Sequence, residues 1–182
     1  MNRDGHTSGL AAPRVSEELR IRRRARLRNK EAREVLDAFA AMLPGTKLWG
    51  DNAAVETGEF GDRAVLVVDN KVFGIYDGPV PTGTPFLSVK GLLAYKPTAK
   101  FVTVDMGAIK FVVNGADVMA PGIVEADPTL QPGDWCWIRD ERNKQPLAVG
   151  KCLVPGTAMP KGKGKAVKSI HHIQDKLWSV EA

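Results

Sequence analysis

The side chains able to do chemistry in this chain are few, and their spacing argues against most of it. His171 and His172 are adjacent, His6 stands alone near the start, and no CxxC or HxxxH pair is present to build a zinc site. No serine, cysteine or paired acid accompanies the histidines in the way nucleophilic catalysis requires. Cys136 and Cys152 read as small buried strand residues, since free cysteine is among the most buried residue types. The stretch KGKGK (161–165) lacks the GxxxxGK[ST] order of a phosphate-binding loop, which excludes nucleotide hydrolysis on that pattern. The expectation is therefore no catalytic residue, no metal and no cofactor.

What remains is charge, and it is unevenly placed. The formal net charge is +5, with ten Lys/Arg and five Asp/Glu in 1–35, ten and fourteen in 36–150, and six and two in 151–182. Basic ends around an acidic middle point to a polyanion met by both ends. In LRIRRRARLR (19–28), Arg20, Arg22, Arg24, Arg26 and Arg28 occupy every even position, with mostly apolar residues between them. That alternation predicts a strand presenting guanidinium groups on one face at roughly 6–7 Å intervals, a spacing suited to phosphates. The alternative is a helix capped by Ser16 and begun by Glu17 and Glu18, which would spread the arginines around its circumference. A solvated edge strand, charged against edge-to-edge pairing, is the plain reading of the same pattern. Lys161, Lys163 and Lys165 form a glycine-spaced loop that can follow a phosphate backbone as point charges.

These groups need elements to hold them. The 182 residues, 43% hydrophobic, suffice for one ordinary domain or two small ones. No secretory signal is visible, because Arg3, Asp4, His6 and Arg14 interrupt the first fifteen residues. The longest apolar runs, such as AVLVV (64–68), fall far short of the roughly 20 residues of a membrane span. A cytoplasmic protein with no membrane partner is expected. Residues 1–17 lack periodicity and are expected to be a disordered basic tail.

After Asn29 as N-cap, residues 30–43 carry Ala32, Val35, Leu36, Phe39, Met42 and Leu43 at helical spacing, and Pro44-Gly45 stops the helix. Strand-like runs follow at 55–60, 64–69 and 72–76, separated by the turn pairs Gly61-Asp62 and Asp69-Asn70. The segment 77–85 is too rich in Pro and Gly for regular structure, and 86–95 reads as a second helix ended by Pro97. Trp49, near a turn, is a candidate partner contact. A boundary near Thr98 divides an N-terminal α/β domain (18–98) from a C-terminal domain (99–182). The latter holds five short strand-like runs, FVTV, ADVMA, DWCWIRD, PLAVGKCLV and VKSIHHI, and reads as a small barrel or sandwich. GAIKFVVN is ambiguous: its β-branched residues favour a strand, whereas Asp105 offers an N-cap and Gly115 a C′ residue for one short helix. The helix is preferred. His171 and His172 face opposite sides of the last strand, one buried and one exposed.

The blocks VDMGAIKFVVNGADVMAPGI, PGD (132–134), PLAVGK (146–151) and KGKGKAVKSIHHIQDKLW (161–178) resemble, in order, a PUA domain, the module named for pseudouridine synthases and archaeosine transglycosylases. The preceding GPVPTGTPFLSVKGLLAYKP and the helix before it are similar to the archaeal PUA proteins related to the eukaryotic malignant T-cell-amplified-sequence translation factor. The resemblance implies an α+β chain: a small N-terminal α/β unit followed by a PUA-type pseudobarrel with short helices. It also implies binding of structured RNA (rRNA or tRNA) without catalysis, in translation, at the small ribosomal subunit or the tRNA acceptor end, with an initiation-factor-like protein partner. An accessory role in RNA modification or ribosome biogenesis is the alternative, and a protein adaptor that binds RNA weakly is a third.

On this resemblance the RNA contacts fall on Lys110, Asn114, Gly115, Ala116, Met119, Pro121 and Gly122, joined by Lys151, Lys161, Lys163, Lys165, Lys168 and His171, with Arg20, Arg22, Arg24, Arg26 and Arg28 from the first half. Small residues and glycines there would form a low-relief backbone ledge for the shallow minor groove of RNA.

Overall fold

The computed structural model describes residues 19–79 and 82–182, so the tail expectation lies outside the described residues. Two sheets organise the chain. In the first, β1 (Arg22–Arg26), β2 (Val55–Phe60), β3 (Arg63–Val68), β4 (Lys71–Asp77) and β5 (Thr84–Leu87) lie in sequence order, each antiparallel to the next. Its hairpins follow the turn residues: Asp69 and Asn70 both sit at positive φ, 47° and 63°, as a two-residue turn between β3 and β4 demands.

The helix α1 (Asn29–Met42) buries Val35 and Phe39. Its N-cap is Arg28 rather than the expected Asn29, because Arg28 still has the extended backbone of the preceding strand and its N–H donates to Glu31 at 2.8 Å. The expected helix over 86–95 is shorter. Phe86 and Leu87 pair with Ile75 and Gly74 as part of β5, and α2 (Val89–Tyr95) starts only after Ser88, whose hydroxyl accepts from the Gly91 N–H at 3.1 Å. Thr84 and Pro85, expected to be irregular, also belong to β5. Trp49 is not at a partner surface: it is packed between Phe39 and Tyr95 in the core.

The Arg-rich segment is a strand, as its alternation predicts, but not a regular ladder. The β1 register jumps between Arg22 and Ala25, and Arg23 adopts φ 50°. This bulge turns Arg23 to Glu59, at 3.1 Å, while Arg24 pairs with Glu56 and donates to Asn70 at 2.8 Å. Arg20 and Arg28 lie outside the strand.

The second sheet contains β6 (Phe101–Val104), β7 (Val118–Met119), β8 (Ile123–Ala126), β9 (Trp135–Asp140), β10 (Pro146–Cys152) and β11 (Lys165–His172) in the order β7-β11-β10-β9-β6-β8. Only the β6–β9 pair is parallel. The two strands at opposite ends of that order, β7 and β8, are consecutive in the chain and joined by the single 3-10 turn Ala120–Gly122. A sheet whose edges are tied so closely must curl toward closure, and this yields the small barrel expected of the second half. Its core comprises Val102, Val104, Ile123, Ile138 and Val167 among others, with the buried thiols of Cys136 and Cys152 as expected. The hydrogen bond with Cys152, together with burial, holds the Cys136 thiol well above its ordinary range, so it stays protonated. β8 was not among the expected strands; IVEA has no alternation of its own and is ordered by pairing with β6.

The first core is not confined to the first half. Trp135, Trp137, Val149, Leu177 and Val180 join Phe86, Leu92 and Tyr76 in one cluster. Polar bonds cross the same seam: Arg63 donates to the Ile170 carbonyl at 2.6 Å and Lys90 to that of Val180 at 2.7 Å.

Three carboxylates knit the turns of the second half. Burial alone would raise the pKa of Asp127, Asp140 and Asp175, but hydrogen bonds outweigh it and hold each below the usual carboxylate range. The donors are Thr129 and the Lys100 N–H for Asp127, the N–H groups of Asn143, Gln145 and Arg142 for Asp140, and His171, Trp178 and His172 for Asp175. A folded pKa below the unfolded value means stability that is present above the unfolded pKa and lost as pH falls through the folded one. The melting temperature should therefore hold from neutral pH down to about pH 4 and fall steeply below it. A midpoint by circular dichroism that stays level through that acid range would contradict these assignments.

Candidate nucleic-acid interface

The segment 107–123 resolves as the helix reading. α3 (Ile109–Val112) is a single turn in a run of residues that by preference would extend. Two local devices hold it: Asp105 Oδ1 accepts the Ala108 N–H at 2.9 Å before it, and Gly115 at φ +85° closes it. The closing bonds run from the Gly115 N–H to the Val112 carbonyl and from the Ala116 N–H to that of Phe111, both 3.0 Å, the pairing of a Schellman closure. Asn114 commits one amide hydrogen to the Lys110 carbonyl at 2.8 Å.

Gly115 is confined twice over. Besides its positive φ, a methyl group there would lie 2.7 Å from Nε2 of His172. Gly115→Ala should cost about 1–2 kcal/mol, the penalty for an L-residue in the left-handed region. Thermal denaturation would read it, and a midpoint equal to that of the unmutated chain would contradict it.

Beyond the turn, Val118 is buried and Met119 exposed, and Pro121-Gly122 brings the chain back against α3, where a methyl on Gly122 would sit 3.1 Å from the Ala108 side chain. The result is a cleft of about 690 Å3 lined by Ala108, Phe111, Ala116, Met119, Pro121 and Gly122, with Asp105, Asp117 and Lys165 along it. The low-relief ledge expected from the sequence is corrected here. Phe111 is 58% and Met119 48% exposed, so two large apolar side chains stand at the cleft.

The lysines gather beside it. Lys165 pairs across strands with Met119, and its ammonium lies 3.3 Å from Asp117. Asp117 is held below the ordinary carboxylate range by the Ser169 N–H first, then by its bond to Lys165 and the charges of Lys165 and Lys168. The 161–165 loop is tied to the cleft at both ends rather than loose: the Lys161 N–H donates to the Ile123 carbonyl at 3.1 Å and the Gly164 carbonyl accepts from Ala120 at 2.8 Å. Lys161, Lys163, Lys168 and Lys110 are exposed.

Other expected contacts are elsewhere. Lys151 is engaged at the seam between the sheets, 2.9 Å from Asp77 and 4.3 Å above the Trp135 ring, which removes it from the cleft. His171 is 1% exposed, with Nδ1 2.7 Å from Asp175, so it supports the fold and cannot touch a ligand. The half-buried histidine is His172, whose ring reaches Gly115. Arg22, Arg24 and Arg26 belong to β1 at the edge of the other sheet, Arg20 and Arg28 flank that strand, and none of the five lines the cleft. Among the described residues no group of three or more His, Cys, Asp or Glu side chains is placed to hold a metal ion, and no helix is long and apolar enough to cross a membrane.

Sequence reasoning missed Phe111, Asp117 and His172. Which of the two histidines is buried was unreadable from alternation, because the β10–β11 register shifts between Val149 and Gly150 and leaves Ile170 unpaired just before them.

A rolled six-stranded sheet whose edge strands enclose a capped helical turn defines a class of protein: residues 100–173 match the PUA domain family. Along almost its whole length the chain is 35% identical to an uncharacterized protein of Methanocaldococcus jannaschii, over 88% of this chain and 98% of that one. A crystal structure of a hypothetical protein from Pyrococcus horikoshii superposes with a TM-score of 0.75 at 33% identity, covering 87% of this chain and 99% of that one. The Saccharomyces cerevisiae translation machinery-associated protein 20 is 41% identical over 43% of this chain, a segment that spans 47% of the yeast protein. The chain belongs to the PUA-domain family, and its relatives include archaeal PUA proteins and the translation machinery-associated and malignant T-cell-amplified-sequence proteins.

Proposed function

We infer that the protein binds structured RNA without transforming it, taking an unpaired segment into the cleft between α3 and β7. The observation that carries this reading is the cleft's pair of exposed apolar side chains, Phe111 and Met119, with Lys165 along it, the Lys110 ammonium 5.0 Å from the Phe111 ring, and the exposed lysines 161, 163 and 168 on the loop and strand that flank it. Unstacked bases bind by stacking on such side chains, while ammonium groups follow the backbone. A duplex minor groove needs no apolar cleft, so the geometry favours a single-stranded end or loop.

Such an end is the tRNA acceptor terminus or an exposed rRNA segment of the small ribosomal subunit, in translation, in the cytoplasm. The similarity to translation machinery-associated protein 20 supports that setting. The two halves, near 18–98 and 99–182, would present RNA to the translation machinery as one body, together with an initiation-factor-like partner. Of the expected RNA contacts, Lys110, Asn114, Gly115, Ala116, Met119, Pro121, Gly122, Lys161, Lys163, Lys165 and Lys168 remain in the proposal; Lys151, His171 and the arginines do not.

Stacking on an aromatic contributes about 1–3 kcal/mol per base. Phe111→Ala should thus weaken binding of a hairpin RNA with a single-stranded 3′ tail by about five- to 150-fold, with the melting temperature preserved because the side chain is exposed. Fluorescence anisotropy would measure it, and undiminished affinity would remove the cleft from the account.

A further inference from the structure

The geometry points to His172 as the residue that distinguishes RNA from DNA, through a hydrogen bond from a ribose 2′-hydroxyl to its Nε2; this rests on the RNA reading of the adjoining cleft. His172 Nδ1 lies 2.8 Å from the carbonyl oxygen of Ile173. A carbonyl can only accept, so in the neutral ring the proton is on Nδ1 and Nε2 carries a lone pair. Among the described residues no hydrogen bond to that lone pair is made. It stands at the Gly115 turn, against the one position of the closure that has no side chain, and a methyl there would lie 2.7 Å from it.

Chemical contrast gives this position its meaning. The exposed lysines around the cleft only donate, and its two carboxylates already accept from the protein: Asp117 from the Ser169 N–H at 2.9 Å and from Lys165, and Asp105 from the Ala108 N–H at 2.9 Å. Donors of this kind suit phosphates, which RNA and DNA share. An uncommitted neutral acceptor selects a donor instead. Along the sugar-phosphate backbone the only donor is the 2′-hydroxyl, the group that DNA lacks. The ring is also held in place, since its Nδ1–H is fixed on Ile173 and the backbone N–H of His172 donates to Asp175 at 3.1 Å. A fixed acceptor at the turn that closes α3 can read one ribose.

The test titrates the full chain and its His172→Phe variant, in mildly alkaline buffer, with a hairpin RNA carrying a single-stranded 3′ tail and with its all-deoxy counterpart. Phenylalanine keeps the ring and removes the lone pair. The expected result is a two- to tenfold loss of RNA affinity, about the worth of one neutral hydrogen bond, with DNA affinity unchanged. His172→Gln, whose side-chain oxygen also accepts, should restore part of the preference. Equal losses for RNA and DNA, or no loss for either, would overturn the assignment while leaving the RNA reading intact. Failure of the unmutated chain to bind the RNA at all would overturn the RNA reading and this inference with it. If the phenylalanine variant does not fold, the unmutated chain decides: among RNAs with a single 2′-deoxy substitution one tail position must account for the preference, and an even spread over all positions would overturn the assignment.

Discussion

Trp135→Ala should lower the stability of the whole chain by about 3–5 kcal/mol, the range for deleting a buried large aromatic, and should melt both sheets in one transition. Trp135 comes from β9 of the second sheet, yet its ring is stacked on Phe86 of the first at 5.5 Å with planes 6° apart. Its indole N–H donates to the Thr84 carbonyl at 3.2 Å. The Lys151 ammonium lies over the ring and reaches Asp77 across the seam. Truncation leaves a void in the shared core, an unpaired carbonyl on β5 and a lysine without its aromatic face. Denaturant unfolding followed by circular dichroism would measure the loss. Two separate transitions in the unmutated chain, with only the second moved by the substitution, would show that the seam does not couple the sheets.

The second large effect is on affinity. Four exposed lysines on the elements that flank the cleft, 110, 161, 163 and 168, would neutralise about four phosphates, hence a log-log salt slope near −2.8 for a single strand and about a 50-fold loss of RNA affinity from about 50 to 200 mM salt. This is smaller than the whole basic inventory would give, because Arg23, Arg24, Lys151 and Lys165 already face carboxylates of the protein. Replacing Lys161, Lys163 and Lys168 together by alanine should flatten the slope by about two units with little change in melting temperature. An unaltered slope would mean that these lysines do not meet phosphate.

Much of this arrangement was legible in the sequence because local rules agreed with the fold. Pro44-Gly45, Asp69-Asn70 and Gly115 mark chain reversals that the backbone then makes at positive φ or at a helix end. The Arg-rich alternation gave a strand, and the ordered blocks of the second half gave the barrel. What escaped depends on contacts between distant residues. Phe86 and Leu87 look helical until β4 supplies partners, and β8 exists only through β6. Lys151 looks like one more surface cation until Asp77 and Trp135 come to it from another strand and another sheet. The bulges at Arg23 and Ile170 each insert a residue that alternation cannot foresee, and each changes which side chains face outward. For that reason the short helix and glycine turn of 107–123 were readable while the relief of that face and the burial of His171 were not.

Photo-crosslinking of the native protein to cellular RNA, with the crosslinked residues mapped by mass spectrometry, tests the central claim most directly. Crosslinks should concentrate on Phe111, Met119 and the lysines of 161–168, and on unpaired nucleotides of the RNA. Crosslinks confined to the outer edge of the first sheet, around Arg26 and Arg28, with the cleft untouched, would contradict the account.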